Sequence, residues 1–456
     1  MALQNRSPLQ CLPFEANTPQ GGRTHVAVVK LTLDLVPVGP DLRVQGFTHF
    51  LKLAQEQPAI LATDAPFGDP LGGSLRWESE LAPGKPRCDV LLLGAAHAPR
   101  AQPRRRFQAS LRLLIPDPEA VSGSRVLLSK RLQVTGPRWL QRRNFLLRTC
   151  WWCVKVGTLG LIRRCPWKLT RPRPVAEVPL RYEYSYGGWV QVKAGERAFR
   201  RVPRRHWAAG VDRASLQKAQ TGVLAEAGWQ ANPVGRGYAP CWYLRAAKLK
   251  RLAAPQIEDP DHPFTARAAW RVMAGKRKAE AAPALQPQGM APFTRNWAAR
   301  LQFSGTWDAA WVASGTPYPA DFRPEFWNCA HPDLQCPPLA GDEILELINL
   351  CPPNGPGAVL DAQGNSLMRF QLPNLTVILW AWQDSGRWVQ VPARLDTLIL
   401  EPAESRVTLI QRAIHPVDPP SQLLELHLTL PGEPATAPPH PFAPQPDLLE
   451  ASTHGH

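Results

Sequence analysis

Alternating apolar and polar positions dominate this chain and predict strands far more often than helices. HVAVVKLTLDLVPVGPDLRVQGFTHFLKL holds two β-branched apolar runs on either side of VGPD, a hairpin pattern. Three further segments continue it, each bounded by Pro or Gly: RCDVLLLGAAHAP (Arg87 to Pro99), RFQASLRLLIP (Arg106 to Pro116) and SKRLQVTGPRWL (Ser129 to Leu140). PLRYEYSYGGWVQV (Pro179 to Val192) predicts another strand with a Gly-Gly turn, and EILELINL (Glu343 to Leu350) a strand or a short helix. The stretch from Asn365 to Ile414 predicts four strands with turns at LPN, DSG and PAES, and LLELHLTL beyond it predicts one last strand. Helical character is confined to short pieces, chiefly SLQKAQTGVLAEAG within the partly helical residues 195–227.

The expected fold is therefore mainly β, built of β-sandwich or barrel-like sheets with long ordered loops and a few short helices. Fifty prolines reinforce this, because each removes a backbone donor and clashes with a preceding helical turn. A chain of 456 residues exceeds one typical domain. Along it we distinguish an N-terminal β region (1–140), a basic Trp- and Arg-rich insertion (141–178) and a second β-rich region (179–415). A proline-rich tail (416–456) should be largely disordered, since it buries too little to offset chain entropy.

Within the second region, Phe293 to Glu343 concentrates bulky rings: Trp297, Trp307, Trp311 and Trp327 with Phe303, Tyr318, Phe322 and Phe326. Asp308, Asp321, Asp333 and Asp342 sit among them beside Gly, Pro or polar residues. Such density describes an irregular recognition surface rather than a catalytic cleft. Asp308 fits a helix cap that leaves Trp307 and Trp311 one turn apart, and Asp321 and Asp342 fit turns. The alternative is a hydrolase with Asp308 and Asp321 as acid and base.

Charge changes the picture in one place. From Arg100 to Arg173 there are 18 Lys and Arg against Asp117 and Glu119, so this segment carries the whole net charge of +16. Arg142, Arg143, Arg163 and Arg164 interleave with Trp139, Phe145, Trp151, Trp152 and Trp167, a mixture suited to an acidic protein face or a polyanion. No recognised nucleic-acid module accompanies it, which disfavours nucleic acid as the partner. No phosphate-binding Gly-rich loop, HExxH pair or GxSxG elbow occurs. Nine cysteines without regular spacing fit reduced thiols. Neither Cys150–Cys153 with Cys165 nor Cys329, His331, Cys336 and Cys351 reproduces a known zinc spacing. No metal or cofactor is expected. The absence of a secretory leader and of a long uncharged apolar run leads us to expect a cytoplasmic protein without a transmembrane segment.

The ordered blocks RYEYSYGG, NPVGRGY, PQIEDPDHP, NWAARLQFSGTWDAAWV, YPADFRPEFWNCAHPDLQ and LAGDEILELINL resemble a bacterial domain family encoded beside type VI secretion spike and effector genes. The resemblance runs from about His25 to Ile414. It implies an adaptor or chaperone that loads a secretion effector or spike-tip protein, without a catalytic residue. The matching positions are Glu183, Gly187, Gly188, Asn232, Pro233, Gly235 and Gly237 in the first blocks. They continue with Trp297, Arg300, Gly305, Thr306, Asp308, Trp311, Pro319, Asp321, Phe322, Asn328, Pro332, Asp333, Gln335, Gly341, Asp342 and Glu343. The chain departs from the family at Pro137, which follows Gly136 where an acidic residue is usual, and in its Arg- and Trp-rich stretch from Gln141 to Lys168. The residues we single out for partner binding are Trp307, Asp308, Trp311, Asp321 and Phe322, with Arg163 and Arg164 for an acidic partner surface.

Overall fold

The structure is a computed structural model, and it describes residues 2–39, 46–68, 73–120, 123–143, 150, 152–154, 156, 165–193, 196–209, 211, 222–275, 282–417, 421–429 and 437–438. Strand makes up 41% and helix 14%, which gives the mainly β fold that the alternation predicts. The larger sheet has ten strands and curls into a half-barrel. Its main path runs Ala2–Asn5, Ser421–Thr429, Thr376–Gln383, Arg387–Glu401, Arg406–Pro416, Arg23–Pro37 and Gln10–Asn17. His49–Leu53, Cys88–Leu92 and Gln335–Cys336 attach beside it.

The curl has a local cause in the 15-residue strand Arg387–Glu401. Its first half pairs with Thr376–Gln383, and its second half pairs with Arg406–Pro416 on one side and with Cys88–Leu92, in parallel, on the other. Between Leu395 and Thr397 the register shifts, leaving Asp396 as a bulge. A bulge bends and twists its strand, so one long strand can serve two differently oriented halves of a sheet. Asp396 is buried and its carboxylate takes the guanidinium of the buried Arg412.

A second sheet of six strands runs Ile257–Glu258, Ser124–Thr135, Arg106–Pro116, Ile344–Ile348, Ser366–Gln371 and Val359–Leu360. In Arg106–Pro116 the alternation is read directly, with Phe107, Ala109, Leu111 and Leu113 turned inward. Strands from before residue 140 and after residue 335 neighbour one another in both large sheets. Arg23–Pro37 pairs with Arg406–Pro416, and Arg106–Pro116 with Ile344–Ile348. One hydrophobic core spans both, from Val28 and Leu111 to Leu345 and Leu409. Smaller clusters gather around Tyr186 and Trp229 and around Val192 and Leu224.

Several sequence expectations change in detail. The hairpin around VGPD exists, but Pro37 pairs with His49, so its connection is much longer than a tight turn. The C-terminal part of the expected helix, Val223–Gly228, is a strand paired with Trp189–Lys193. Burial of Leu224 and Ala225 against Val192 overrides local helix preference there; residues 212–221 lie outside the described ones. Pro179 to Val192 is broken by a 3-10 turn at Tyr182–Tyr184 before Trp189–Lys193 resumes. Glu343 to Leu350 resolves to the strand Ile344–Ile348. Among the described residues no helix is long and apolar enough to cross a membrane.

Candidate recognition surface

The aromatic block leaves the barrel as an excursion built on two short helices, Ala298–Leu301 and Ala309–Ser314. Asp308 caps the second one, accepting a hydrogen bond from the Trp311 backbone N–H at 3.0 Å. Gly315, in the left-handed region, ends it. The two indoles meet edge to face with centroids 4.5 Å apart. Each has its polar atom satisfied internally: Trp307 Nε1 donates to the Ser304 carbonyl at 2.7 Å and Trp311 Nε1 to the Thr316 carbonyl at 3.0 Å. The carboxylate of Asp321 ties the base of this excursion by accepting from both the N–H and the hydroxyl of Thr306, each at 2.8 Å. Those two bonds hold the Asp321 carboxyl below its ordinary range. Gly305 (φ 75°) completes the base, since a Cβ there would lie 2.9 Å from Pro319 and 3.0 Å from Asp321. Asp308 and Asp321 thus both hold backbone.

The outer side of this excursion is apolar and uncovered. The helix AAWVAS has no buried residue. Val312 is 69% exposed, Leu301 51% and Trp307 50%. Isolated apolar side chains on a surface are ordinary, whereas large contiguous exposed patches commonly mark interaction sites.

Phe322, grouped with these residues in the sequence, lies inside instead. It is buried and packs tilted against Tyr318 with centroids 4.4 Å apart, with Phe326 and Trp327 edge-on. Tyr318, Phe322 and Trp327 form one wall of a groove of about 440 Å³ whose other wall is the curled sheet. Trp297 is likewise core, packed with Tyr182 and Phe293.

Buried charges fasten the block to the barrel. Arg300 is 2% exposed; it pairs with Glu78 at 2.6 Å and donates to the carbonyls of Phe326 and Phe293. Burial pushes the Glu78 carboxyl up, but Arg300, Lys85 and Arg295 outweigh it and hold the group below its usual range. Asp89 accepts from the backbone N–H groups of Cys329 and Ala330, from the Asn328 amide, and from Lys85 at 2.7 Å. Beside it Lys130 Nζ lies 2.6 Å from Gln288 Oε1, 2.7 Å from Asp333 Oδ2 and 3.3 Å from His331 Nδ1. Burial lowers the Lys130 pKa and, with the Lys130 charge, lowers that of His331 to about 4. Sequence reasoning missed Glu78, Lys85, Asp89 and Lys130. Its available signal was the lone Asp in CDVLLL, an acid inside an otherwise apolar strand.

The shared sequence blocks meet as architecture. Tyr186–Gly187 bridges Arg236–Gly237, and the Asn232 amide donates to the carbonyls of Tyr182 and Tyr186. Glu183 accepts from the backbone N–H and hydroxyl of Ser74. Glu343 accepts from the N–H groups of Ala340 and Gly341. The cysteines face separate partners: Cys329 lies by Asp89, Cys336 opposite Cys88, and Cys351 by Ser366. Among the described residues no three His, Cys, Asp or Glu side chains are arranged to hold a metal ion. Arg163 and Arg164 lie outside the described residues, while Cys150, Cys153 and Trp152 are exposed. Part of the basic segment is neutralised from afar, with Arg112 paired to Glu346, Arg131 to Asp261 and Arg138 to Glu258.

These features define a mainly β protein with an outward apolar tip and an adjoining groove. Residues 20–412 match the family described as an uncharacterized protein conserved in bacteria (DUF2169), and the chain belongs to that family. No curated protein and no solved structure matches it.

Proposed function

We propose that this chain is a non-catalytic, cytoplasmic adaptor-chaperone that binds a type VI secretion effector or spike-tip protein and assists its loading onto the secretion spike. The observation that carries the reading is the helix Ala309–Ser314, which is apolar, has no buried residue and is held outward beside Trp307. An adaptor shields an apolar surface of its cargo and later releases it. A few rigid aromatic contacts supply such affinity, commonly ~2 kcal/mol or more per central residue. The pre-formed bonds of Trp307, Trp311, Asp308 and Asp321 support this use, because little ordering remains to oppose binding. The exposed cations of the basic segment would steer an acidic cargo and make association salt-sensitive.

The test is co-expression with a candidate type VI effector or spike-tip protein, followed by co-purification at low and high salt. Retention at low salt, weakened by Val312→Asp without a change in melting temperature, is the expected result. Absence of association at every salt concentration refutes the reading.

A further inference from the structure

The groove beside the tip has a lining that selects among occupants. Resting on the partner-binding reading above, we infer that it receives an extended, proline-bearing segment of the partner that also carries an acidic residue. Tyr318, Phe322 and Trp327 line the groove of about 440 Å³ together with six prolines. Ile414, 47% exposed on the sheet wall, adds an apolar contact.

Prolines have no N–H, so those six lining positions offer no backbone donor. A segment docking as an added strand needs a row of donors and acceptors on the edge it joins. A polyproline II segment needs none, because its own backbone stays solvated while its flat side-chain rings lie on aromatic faces. The groove therefore fits the second mode.

Charge fixes the accompanying residue. Three cations line the groove, Lys85, Arg394 and Arg412. Lys85 is compensated by Asp89, and Arg412 by Asp396. Arg394 is exposed and stands opposite Arg412 in the strand register, and among the described residues it has no carboxylate partner. An aspartate or glutamate next to the docked prolines would complete it.

The test uses the full-length protein and a fluorescein-labelled peptide of about eight residues, Pro, Leu and Ala followed by Asp-Glu, spanning ~25 Å as polyproline II. A strand-forming Val/Thr peptide of equal length and charge is the comparison, and the readout is fluorescence anisotropy. The proline peptide should bind at least ~10-fold tighter than the strand peptide. Arg394→Glu and Ile414→Asp should each weaken it ~10-fold with melting temperatures unchanged. Leu360→Asp, at a 43% exposed position of the other sheet, should leave it unaltered. Equal binding of the two peptides, or retention by both groove variants, overturns the proposal. Co-purification of the cargo run in parallel separates the two ideas. Cargo retained by a wild type without peptide preference sinks the groove assignment alone, whereas loss of the cargo sinks the adaptor reading.

Discussion

His331 should make this protein acid-sensitive in a way that one substitution removes. Its imidazole is buried, Nδ1 accepts from the Asp333 backbone N–H at 3.2 Å, and Lys130 Nζ stands 3.3 Å away. Burial first and the Lys130 charge second push its pKa from the ordinary 6.5 down to about 4, against the opposing pull of Asp333 and Asp259. The folded protein thus keeps the ring neutral where the unfolded chain protonates it. Stability from this group is complete above pH 6.5 and is lost as pH falls toward 4, because the unfolded state then binds the extra proton. With those two values the loss is about 2 kcal/mol between pH 7 and pH 5, and about 3 kcal/mol by pH 4. His331→Asn keeps an acceptor, Oδ1, near the position of Nδ1 and does not titrate. Urea unfolding of both proteins at pH 7 and pH 5 reads the term, since titrating groups away from His331 cancel in the difference. The wild type should lose about 2 kcal/mol more than the variant. Equal losses would refute the assignment of a neutral, buried His331.

Other perturbations probe the tip and its supports. Under the adaptor reading, Trp307→Ala should weaken cargo binding ~30-fold, equivalent to ~2 kcal/mol, with little change in melting temperature because the ring is half-exposed; titration of cargo by anisotropy checks it. Arg300→Met should cost about 3–5 kcal/mol by leaving Glu78 buried without its closest cation, read by urea denaturation; a loss under ~1 kcal/mol counts against the network as a fastening device. Gly187→Ala should yield little soluble protein, because its Cβ would fall 2.0 Å from the Asn232 carbonyl oxygen, within the contact between two sequence blocks. Normal yield and an unchanged melt would show that this contact gives way easily.

How far the sequence reveals the structure depends on the range of the interaction. Arg106–Pro116 and Ser366–Gln371 were legible because one buried face imposes period-two alternation, and the three strands after them because apolar runs end at turn signals. The cap at Asp308 was legible because capping is settled within three residues. Sheet order was not, because Cys88–Leu92 joins Thr397–Leu400 in parallel across more than three hundred positions. Val223–Gly228 was misread as helix since its partner strand decides its conformation. In the aromatic block, composition could not separate Phe322, turned inward, from Trp307, turned outward. Nor did it reveal the burial of Arg300 and Lys130, residue types that are seldom buried without partners.

The interleaving of early and late strands also sets a clock on synthesis. Asp34 pairs with Lys52 on one side, but its neighbour on the other, Arg406, is made roughly 370 residues later. At ~5–20 residues per second the edge of Arg23–Pro37 that meets Arg406–Pro416 stays unpaired for roughly 20–75 s on the ribosome. During that interval Val26, Val28, Leu31 and Leu33 are a nascent β segment open to aggregation. Slowed elongation over the middle of the message, or depletion of nascent-chain chaperones, should therefore lower soluble yield far more than the stability of the finished protein suggests.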